Sequence, residues 1–402
     1  MDLFWAFGGV ALFGLFIYAV QILAVHRALR TPEDPAPEMS SSRLPPISIL
    51  KPLKGLEDSL FDNLESFCLQ GYPEYEIIFS LQDENDPSYK VARKVKEKFP
   101  DKSISIIIER CNQGLNPKVN NLFSAYRHSR YATFLISDSN VKVDPQYLRR
   151  IASALDSPEV GLVCNLIRGV GGRTLGSIFE NLHLNSFILG NICMLDRYFH
   201  RSCVVGKSML MRKSDLETIG GLTSVKDVLA EDHFIGQRVR ERNQRVVISN
   251  YLINNVNEYW GLQKFVNRHV RWGKMRWKIE GMKYFAELAV NPVFICSLPI
   301  LFEGATGETV SLFLGVSGAK MVGDFYLGRK IGEFLHPLAY VLAPVKDLLI
   351  GLIWFAPFIN DTVTWRGNRY RIGKDSVLSP CGEKGAWVWP CRVANAIRER
   401  FV

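Results

Sequence analysis

The N-terminal segment constrains the chain more than any other stretch. Leu3–Val25 contains no formally charged side chain, and about 20 consecutive apolar residues are enough to cross the hydrocarbon core of a bilayer. Arg27 and Arg30 follow this run, whereas Asp2 precedes it. A cleaved signal peptide would instead begin with basic residues and end at a small-residue cleavage site. The sequence therefore predicts an uncleaved anchor over residues 1–30, with the chain that follows in the cytoplasm.

The excess of basic over acidic residues indicates what kind of partner the chain binds. It has 49 Lys and Arg against 40 Asp and Glu, a formal net charge of +9. Because most basic residues lie beside apolar segments and around the candidate site, we expect a membrane surface with anionic headgroups as the partner rather than nucleic acid. The eight cysteines show no Cys-x-x-Cys spacing, which argues against a zinc site or a disulfide framework.

A regular alternation of elements follows the anchor. Residues 31–46 are rich in proline and serine, as is typical of a linker. Strand-like runs then lie at 47–50, 75–81, 104–108, 131–137 and 159–164, with helical stretches such as 56–69 and 87–98 between them. This alternation predicts an α/β domain over 47–255, in which helices cover a mostly parallel sheet.

The C-terminal third is hydrophobic but irregular. Residues 256–287 predict amphipathic helices at the membrane interface. Residues 288–360 contain three hydrophobic segments that are short or interrupted by prolines and charges, and the tail 361–402 is basic. Three complete crossings would place that tail outside, whereas its charges favour the cytoplasm. We therefore expect one segment of 288–360 to be re-entrant or interfacial.

Two aspartates each follow a predicted buried strand. Asp83 comes after 75–81 and Asp138 after 131–137, and open α/β sheets bind ligands at the carboxyl ends of their strands. A carboxylate at Asp83 can accept hydrogen bonds from a nucleobase or ribose. It could instead cap the helix that Asp86-Pro87-Ser88 starts, but Asp86 is better placed for that role.

The segment Asp138-Ser139-Asn140 offers a carboxylate and a neutral amide, which are the oxygen ligands that a hard divalent cation prefers. A Mg²⁺ or Mn²⁺ ion held by Asp138 and Asn140 would neutralise a leaving diphosphate. Such triplets are also common in turns. The functional interpretation therefore depends on Asp83 lying at the same edge of the sheet.

Asp232, in Ala230-Glu231-Asp232, lies at the start of a predicted amphipathic helix. Acidic residues at a helix N-terminus are stabilised by the helix dipole, which would explain one acid without a function. Two adjacent acids with an Arg-Trp motif downstream favour catalysis. We expect Asp232 to be the general base that takes a proton from an attacking hydroxyl.

The downstream motif is Arg268-His269-Val270-Arg271-Trp272, on a predicted helix. Arg268 and Arg271 are three residues apart and share a helix face. Arginine binds phosphate oxygens in a bidentate manner, and Trp272 offers an apolar plane for a sugar or a lipid headgroup. The alternative is a helix that lies on the membrane surface, and the two roles are compatible.

Two short segments complete the candidate donor site. Asn116-Pro117-Lys118-Val119-Asn120-Asn121 brings amides and a lysine that suit sugar hydroxyls and phosphate, although a plain turn explains the same residues. Lys51-Pro52-Leu53-Lys54-Gly55 follows the first predicted strand. The donor contacts that we expect from the two segments are Lys54, Asn116, Lys118 and Asn120.

Taken together, these motifs resemble a known family. Spaced aspartates at strand ends, closed by [Q/R]-x-x-R-W, are similar to those of membrane-bound inverting glycosyltransferases with a GT-A fold. More specifically, they resemble ceramide glucosyltransferases and bacterial relatives that glycosylate hopanoid lipids. The segments that carry this resemblance are 51–55, 116–121, 136–139, 209–213, 220–222, 230–232, 270–272 and 365–371.

The resemblance implies a role for each candidate residue. Asp83 would bind the nucleoside, Asp138 the metal–diphosphate, and Asp232 would be the base. The residues that would close over diphosphate and acceptor are Arg268, Arg271 and Trp272. Two departures are visible: the metal motif reads Asp-Ser-Asn instead of Asp-x-Asp, and residues 165–200 are more similar to the bacterial branch than to the animal enzymes.

We therefore expect a multi-pass enzyme of a bacterial inner membrane. It would transfer a single sugar, with glucose as the first candidate, from a UDP-sugar to a hydroxyl group of a ceramide-type lipid, and the product would be a β-glycolipid. One alternative is a hopanoid N-acetylglucosaminyl- or glycosyltransferase. Another is a processive polysaccharide synthase, which needs more transmembrane helices for its channel. A non-catalytic lipid-binding scaffold would be expected to lose the acidic residues, and all three are present.

Overall fold

A computed structural model describes residues 3–30, 44–333, 335–365 and 367–381. Most of the predicted linker (31–43), the end of the predicted basic tail (382–402), Phe334 and Arg366 lie outside the described residues.

Eleven strands lie within the described residues. They are β1 (Ile47–Pro52), β2 (Tyr75–Leu81), β3 (Ile104–Ile108), β4 (Thr133–Ser137), β5 (Val141–Lys142), β6 (Val160–Gly171), β7 (Ser208–Arg212), β8 (Arg245–Asn257), β9 (Thr362–Trp365), β10 (Asn368–Ile372) and β11 (Leu378–Pro380). The predicted bounds of β2 and β3 are confirmed. The sequence did not predict β7, β8 or the last three strands.

The central sheet has eight strands in the order β3-β2-β1-β4-β7-β6-β8-β5. The neighbours β3, β2, β1 and β4 are all parallel, and β6 is parallel to β8. The strand β7 runs antiparallel to both β4 and β6 between these two groups. This mostly parallel sheet, with helices packed against it, confirms the predicted α/β fold class.

Fifteen α-helices lie in the same described ranges. They are α1 (Leu3–Arg30), α2 (Leu60–Cys68), α3 (Pro87–Lys98), α4 (Pro117–Arg127), α5 (Tyr147–Ala154), α6 (Leu175–His183), α7 (Leu189–Phe199), α8 (Lys213–Thr218), α9 (Glu231–Glu241), α10 (Leu262–Glu280), α11 (Phe285–Ala289), α12 (Pro292–Glu303), α13 (Gly307–Lys330), α14 (Ala343–Ile353) and α15 (Ala356–Ile359).

Helices bury both faces of the parallel strands. In β1, all six residues are buried, and successive side chains point to opposite faces. Ile49 belongs to a core cluster with Leu64 of α2. Its neighbour Leu50 packs with Val119 of α4 on the other face. Such two-sided burial explains why the strand reads as a continuous apolar run.

Within the described residues, three helical segments are long and apolar enough to cross a membrane: Leu3–Arg30, Gly307–Lys330 and Pro337–Ile359. A fourth candidate, Leu262–Ala289 with Pro292–Glu303, bends by 68° at its break. The N-terminal helix α1 packs against α12 and α13, and also against α7. The chain is therefore a membrane protein whose anchor is part of the same packed unit as the sheet.

The predicted basic tail contains a small antiparallel sheet, in the order β11-β10-β9. In β10 the side chains of Tyr370 and Ile372 are buried, whereas Arg369 and Arg371 are exposed. This alternation is the pattern of a half-buried strand, which the basic charge of the segment obscures. The sheet is hydrogen-bonded to the α/β domain, since the Leu378 amide donates to the Asp227 carbonyl at 2.7 Å.

Close packing of α14 against α12 generates a first prediction. A Cβ atom at Gly351 would lie 2.1 Å from the ring of Phe294. Gly351→Val should therefore lower the free energy of unfolding by about 1–3 kcal/mol through overpacking, measured as a lower midpoint of thermal unfolding in detergent. Gly315→Val is the matched control, because no atom lies within 4 Å of the added Cβ in α13. Equal losses in both variants would contradict the proposed packing.

Candidate active site

A buried ammonium group lies at the centre of the candidate site. Lys118 is in the first turn of α4, and its Nζ is 2.9 Å from Asp138 Oδ1 and 2.9 Å from Glu231 Oε1. Burial lowers the pKa of Lys118, but the two carboxylates raise it more strongly, so the pKa is above its ordinary value. The lysine therefore stays charged and holds the end of β4 against the start of α9.

Asp138 lies directly after β4 and contacts two ammonium groups. Its Oδ2 is 2.9 Å from Lys207 Nζ, on the opposite side from Lys118. Burial raises the pKa of Asp138, but the two lysines lower it more strongly, so the pKa lies well below its usual range. A third lysine, Lys51 of β1, donates to the Asp138 carbonyl at 2.6 Å. This environment keeps Asp138 ionised.

Asp232 lies beside this cluster because of a glycine. Its Oδ2 accepts a hydrogen bond from the Gly206 amide at 2.7 Å, and its Oδ1 accepts one from the His233 amide at 2.8 Å. The Gly206 carbonyl also accepts from Lys118 Nζ at 3.0 Å. A Cβ at Gly206 would lie 2.8 Å from Asp232 Oδ2 and 3.0 Å from Lys118 Nζ. The glycine thus allows the loop to approach both side chains.

The oxygens of Asp138 and Asn140 converge on one positive charge. Lys207 Nζ is 2.9 Å from Asp138 Oδ2 and donates to Asn140 Oδ1 at 2.7 Å. A carboxylate and an amide oxygen aimed at one cationic position fit part of the coordination shell of a hard divalent ion. Among the described residues there is no group of three or more His, Cys, Asp or Glu side chains that could complete such a shell, so the remaining ligands would come from a bound diphosphate or from water.

The arginine-tryptophan motif lies on α10 and encloses a buried carboxylate. Arg268 stacks between Trp260 and Trp272, at 5.1 and 4.3 Å from their ring centroids. Its Nη1 is 3.4 Å from Glu180 Oε1, and His269 Nε2 is 2.9 Å from Glu180 Oε2. Burial raises the pKa of Glu180, but Arg268 and His269 together lower it below its ordinary value. Glu180 thus orients the motif.

The other predicted donor residues lie on neighbouring loops. Lys54 follows β1 and Asp83 follows β2. Because β1 is parallel to both β2 and β4, these two residues lie at the same edge of the sheet as Asp138, which follows β4. The exposed Asp83 accepts hydrogen bonds from Asn85 at 2.9 and 3.0 Å. Lys54 forms an ion pair with Asp86.

The amides of the 116–121 segment hold the backbone. The Asn116 side chain caps α4 by accepting hydrogen bonds from the Lys118 and Val119 amides. The Asn120 side chain accepts a hydrogen bond from the Gly114 amide and donates one to the Gly114 carbonyl. Instead of the expected loop, the segment starts a helix, because Asn116 before Pro117 is a helix-capping pair.

Arg271 lies over Trp365, at 5.7 Å from the ring centroid.

Four site residues were missed by the sequence interpretation, namely Lys51, Glu180, Lys207 and Glu231. Lys51 had a signal, since it is a charge inside an otherwise apolar strand, and Glu231 is adjacent to Asp232. Lys207 and Glu180 had none, because their partners are at least 67 and 88 positions away along the chain. Only the fold brings these pairs together.

The sequence profile described as "Glycosyl transferase family 21" matches residues 7–378. The chain belongs to glycosyl transferase family 21. A relative described as Ceramide glucosyltransferase 1, from Caenorhabditis elegans, is 30% identical over 348 residues, which cover 82% of this chain and 72% of the relative. Ceramide glucosyltransferase 3 from the same organism is 28% identical, over 90% of this chain and 80% of the relative.

Among solved structures, the chain is similar to "Mannosyltransferase PcManGT from Pyrobaculum calidifontis in complex with GDP-Man and Mn2+", with 16% identity, a TM-score of 0.48, and coverage of 88% of this chain and 98% of that one. As a member of glycosyl transferase family 21, the protein is a sugar-transferring enzyme. The predicted family and enzyme class are confirmed.

The central ion pairs of this family 21 enzyme generate a second prediction. Lys118→Met leaves Asp138 and Glu231 without the charge between them, and removing one partner of a buried ion pair costs about 3–5 kcal/mol of unfolding free energy. Burial already raises the pKa of Glu231, and without Lys118 this pKa should rise further, whereas Asp138 keeps its ion pair with Lys207. Because the native state would bind more protons than the unfolded one, stability should fall as pH rises.

The measurement is thermal unfolding of wild type and variant at about pH 5 and about pH 8, two values above the ordinary carboxyl pKa. The deficit of the Lys118→Met variant should be larger at the higher pH. Lys142→Met, which removes an exposed lysine of β5, controls for the loss of one positive charge. A deficit that is the same at both pH values would show that Lys118 does not compensate these carboxylates.

Proposed function

We propose that the protein transfers a single sugar, with glucose as the first candidate, from a UDP-sugar to a hydroxyl group of a ceramide-type membrane lipid. The configuration at the anomeric carbon would be inverted, so the product would be a β-glycolipid. The observation that carries this proposal is the cluster around Lys118, which holds Asp138 and Asp232 together at the carboxyl edge of the sheet. The relatives described as ceramide glucosyltransferases support the donor sugar and the acceptor.

Asp232 would take the acceptor proton. Its carboxylate accepts hydrogen bonds from the backbone amides of Gly206 and His233. These two bonds fix the orientation of the side chain. As the acceptor oxygen attacks the anomeric carbon, the bond from that carbon to the diphosphate oxygen breaks, and the hydroxyl proton passes to Asp232. A general base held in position in this manner contributes typically 10²–10⁴-fold to the rate.

Positive charges would stabilise the departing UDP. When bound, a divalent cation would supply Lewis-acid stabilisation of the diphosphate, and Asp138 and Asn140 would hold it. Burial lowers the pKa of Lys207, and the nearby charge of Arg268 lowers it further, although Asp138 raises it. Arg268, Arg271 and Trp272 would close over the diphosphate and the acceptor.

The small C-terminal sheet supports a particular membrane topology. Residues 376 and 378 are hydrogen-bonded to residues 227–230 of the catalytic domain, so the two must lie on the same side of the bilayer. The number of crossings between them is then even. The long helices Gly307–Lys330 and Pro337–Ile359 supply two, which makes the 12-residue α12 re-entrant. The basic flank after α1 favours the cytoplasm for the sheet.

A product analysis tests this proposal and separates the alternatives. Membranes that contain the protein are incubated with labelled UDP-glucose or UDP-N-acetylglucosamine and with ceramide, diacylglycerol or a hopanoid polyol, and the labelled lipid is identified by mass spectrometry. We expect one glucose on ceramide, in β linkage. A labelled polymer would identify a processive synthase, and label on the hopanoid alone would identify the other acceptor class.

A third prediction concerns the base. Asp232→Asn keeps the shape of the side chain and can accept one of the two backbone hydrogen bonds, but it cannot accept the acceptor proton, so kcat should fall by about 10²–10⁴-fold. The affinity for UDP, measured by isothermal titration calorimetry, should stay within about twofold because the metal–diphosphate residues are unchanged. The exposed Asp101→Asn serves as the control. Near wild-type turnover would remove Asp232 from the mechanism.

A further inference from the structure

A cavity of about 40 Å³ lies between the catalytic domain and the membrane helices. Its polar lining combines side chains of α6 and α10 with side chains of α1, α13 and α14. These residues are Tyr18, His183, His269, Arg276, Lys320 and Asp347. Since one water needs about 10–15 Å³ in such a measure, the cavity accommodates about three water-sized groups. This is room for a small polar headgroup but not for a lipid chain.

His183 presents unused hydrogen-bonding capacity to this cavity. The residue is 2% exposed, and within the described parts of the chain neither of its ring nitrogens has a hydrogen-bond partner. Its ring stacks edge-on against His269, with 4.7 Å between centroids. Burial, and then the charge of neighbouring groups, hold the pKa of His183 well below its ordinary value. A neutral ring can donate at one nitrogen and accept at the other.

The charged side chains around the cavity are matched with opposite charges. Lys320 Nζ is 2.5 Å from Asp324 Oδ1 and 3.6 Å from Asp347 Oδ2. Asp347 also pairs with Lys346, so two lysines and two aspartates cancel. On the other side, Arg276 is 2.8 Å from Glu287. A lining that is polar but without net charge does not favour a phosphate or an ammonium group, and it suits hydroxyl and amide groups.

The cavity adjoins the arginine-tryptophan motif. Aromatic and aliphatic side chains, including Phe187 and Trp354, complete its lining, and the bend between α11 and α12 forms another part of it. His269, on its wall, is adjacent to Arg268 in the chain, and both contact Glu180. A lipid that enters between the membrane helices would thus meet the cavity immediately behind the arginine-tryptophan motif.

We infer that this cavity binds the uncharged, hydroxyl- and amide-bearing headgroup of the acceptor lipid, with His183 as its hydrogen-bonding partner. This inference rests on the proposed function and assigns the acceptor side of that site. The membrane helices then form part of the substrate site, through Tyr18, Lys320 and Asp347. Intramembrane ionisable residues that face a cavity commonly mark functional sites. Because these residues pair with one another here, the cavity favours an uncharged headgroup.

The test uses the full-length protein in phospholipid nanodiscs with ceramide as the acceptor. His183→Leu has a similar volume and removes the two nitrogens, so the KM for ceramide should rise about 5- to 100-fold, as expected for loss of a hydrogen bond to a buried group. The KM for UDP-glucose should stay within twofold. Thermal unfolding should be unchanged or improved, because an unpartnered polar group has been removed. His128→Leu is the matched control, since that ring bonds the Ser124 carbonyl on α4.

A binding measurement on the wild-type protein separates this inference from the proposed function. A ceramide with a photoactivatable group beside its amide is crosslinked to the protein without any sugar donor, and the labelled peptides are identified. Labelling of the peptides that contain residues 183–187 and 347–354 supports the cavity assignment, even if no sugar transfer occurs and the proposed function fails. Labelling confined to other segments, or an unchanged ceramide KM in His183→Leu, would overturn it.

Discussion

One buried ammonium group, Lys118 Nζ, determines how the catalytic domain is assembled. Three chain segments far apart in sequence supply its partners: the end of β4 with Asp138, the start of α9 with Glu231, and the loop at Gly206. A charge removed from water is tolerated only when such partners are complete, so the three segments must come together for any of them to be stable. The same requirement brings Asp232 beside Asp138.

A second constraint is the position of the sheet against the membrane helices. The anchor α1 packs on α7 of the catalytic domain as well as on α12 and α13, and Tyr18 donates a hydrogen bond to Asp324 at 2.5 Å. Polar groups at this depth cannot rely on water. They therefore pair across helices, and these pairs fix the membrane helices in one arrangement beneath the arginine-tryptophan motif.

Much of the fold was predictable from the sequence, because it depends on local pattern. The bounds of β2, β3 and α3 follow from apolar runs and from the capping pair Asp86-Pro87. Neighbouring parallel strands brought Asp83 and Asp138 to one edge as expected. The electrostatic partners of the site were not predictable, because the pairing of Lys207 with Asp138, or of Glu180 with Arg268, depends on which distant segments become neighbours. The C-terminal strands were hidden by their exposed arginines.

The hydrogen bonds between Ser376 and the loop before α9 have a consequence for biosynthesis. The Leu229 amide donates to the Ser376 carbonyl at 3.0 Å, and the Ala230 amide donates to Ser376 Oγ at 3.2 Å. These contacts immediately precede Asp232, yet Ser376 follows the last hydrophobic helix of the described residues. A nascent chain therefore cannot complete the hydrogen bonds beside Asp232 until all of the described membrane helices have left the ribosome, so this part of the candidate site forms only after those helices have been synthesised.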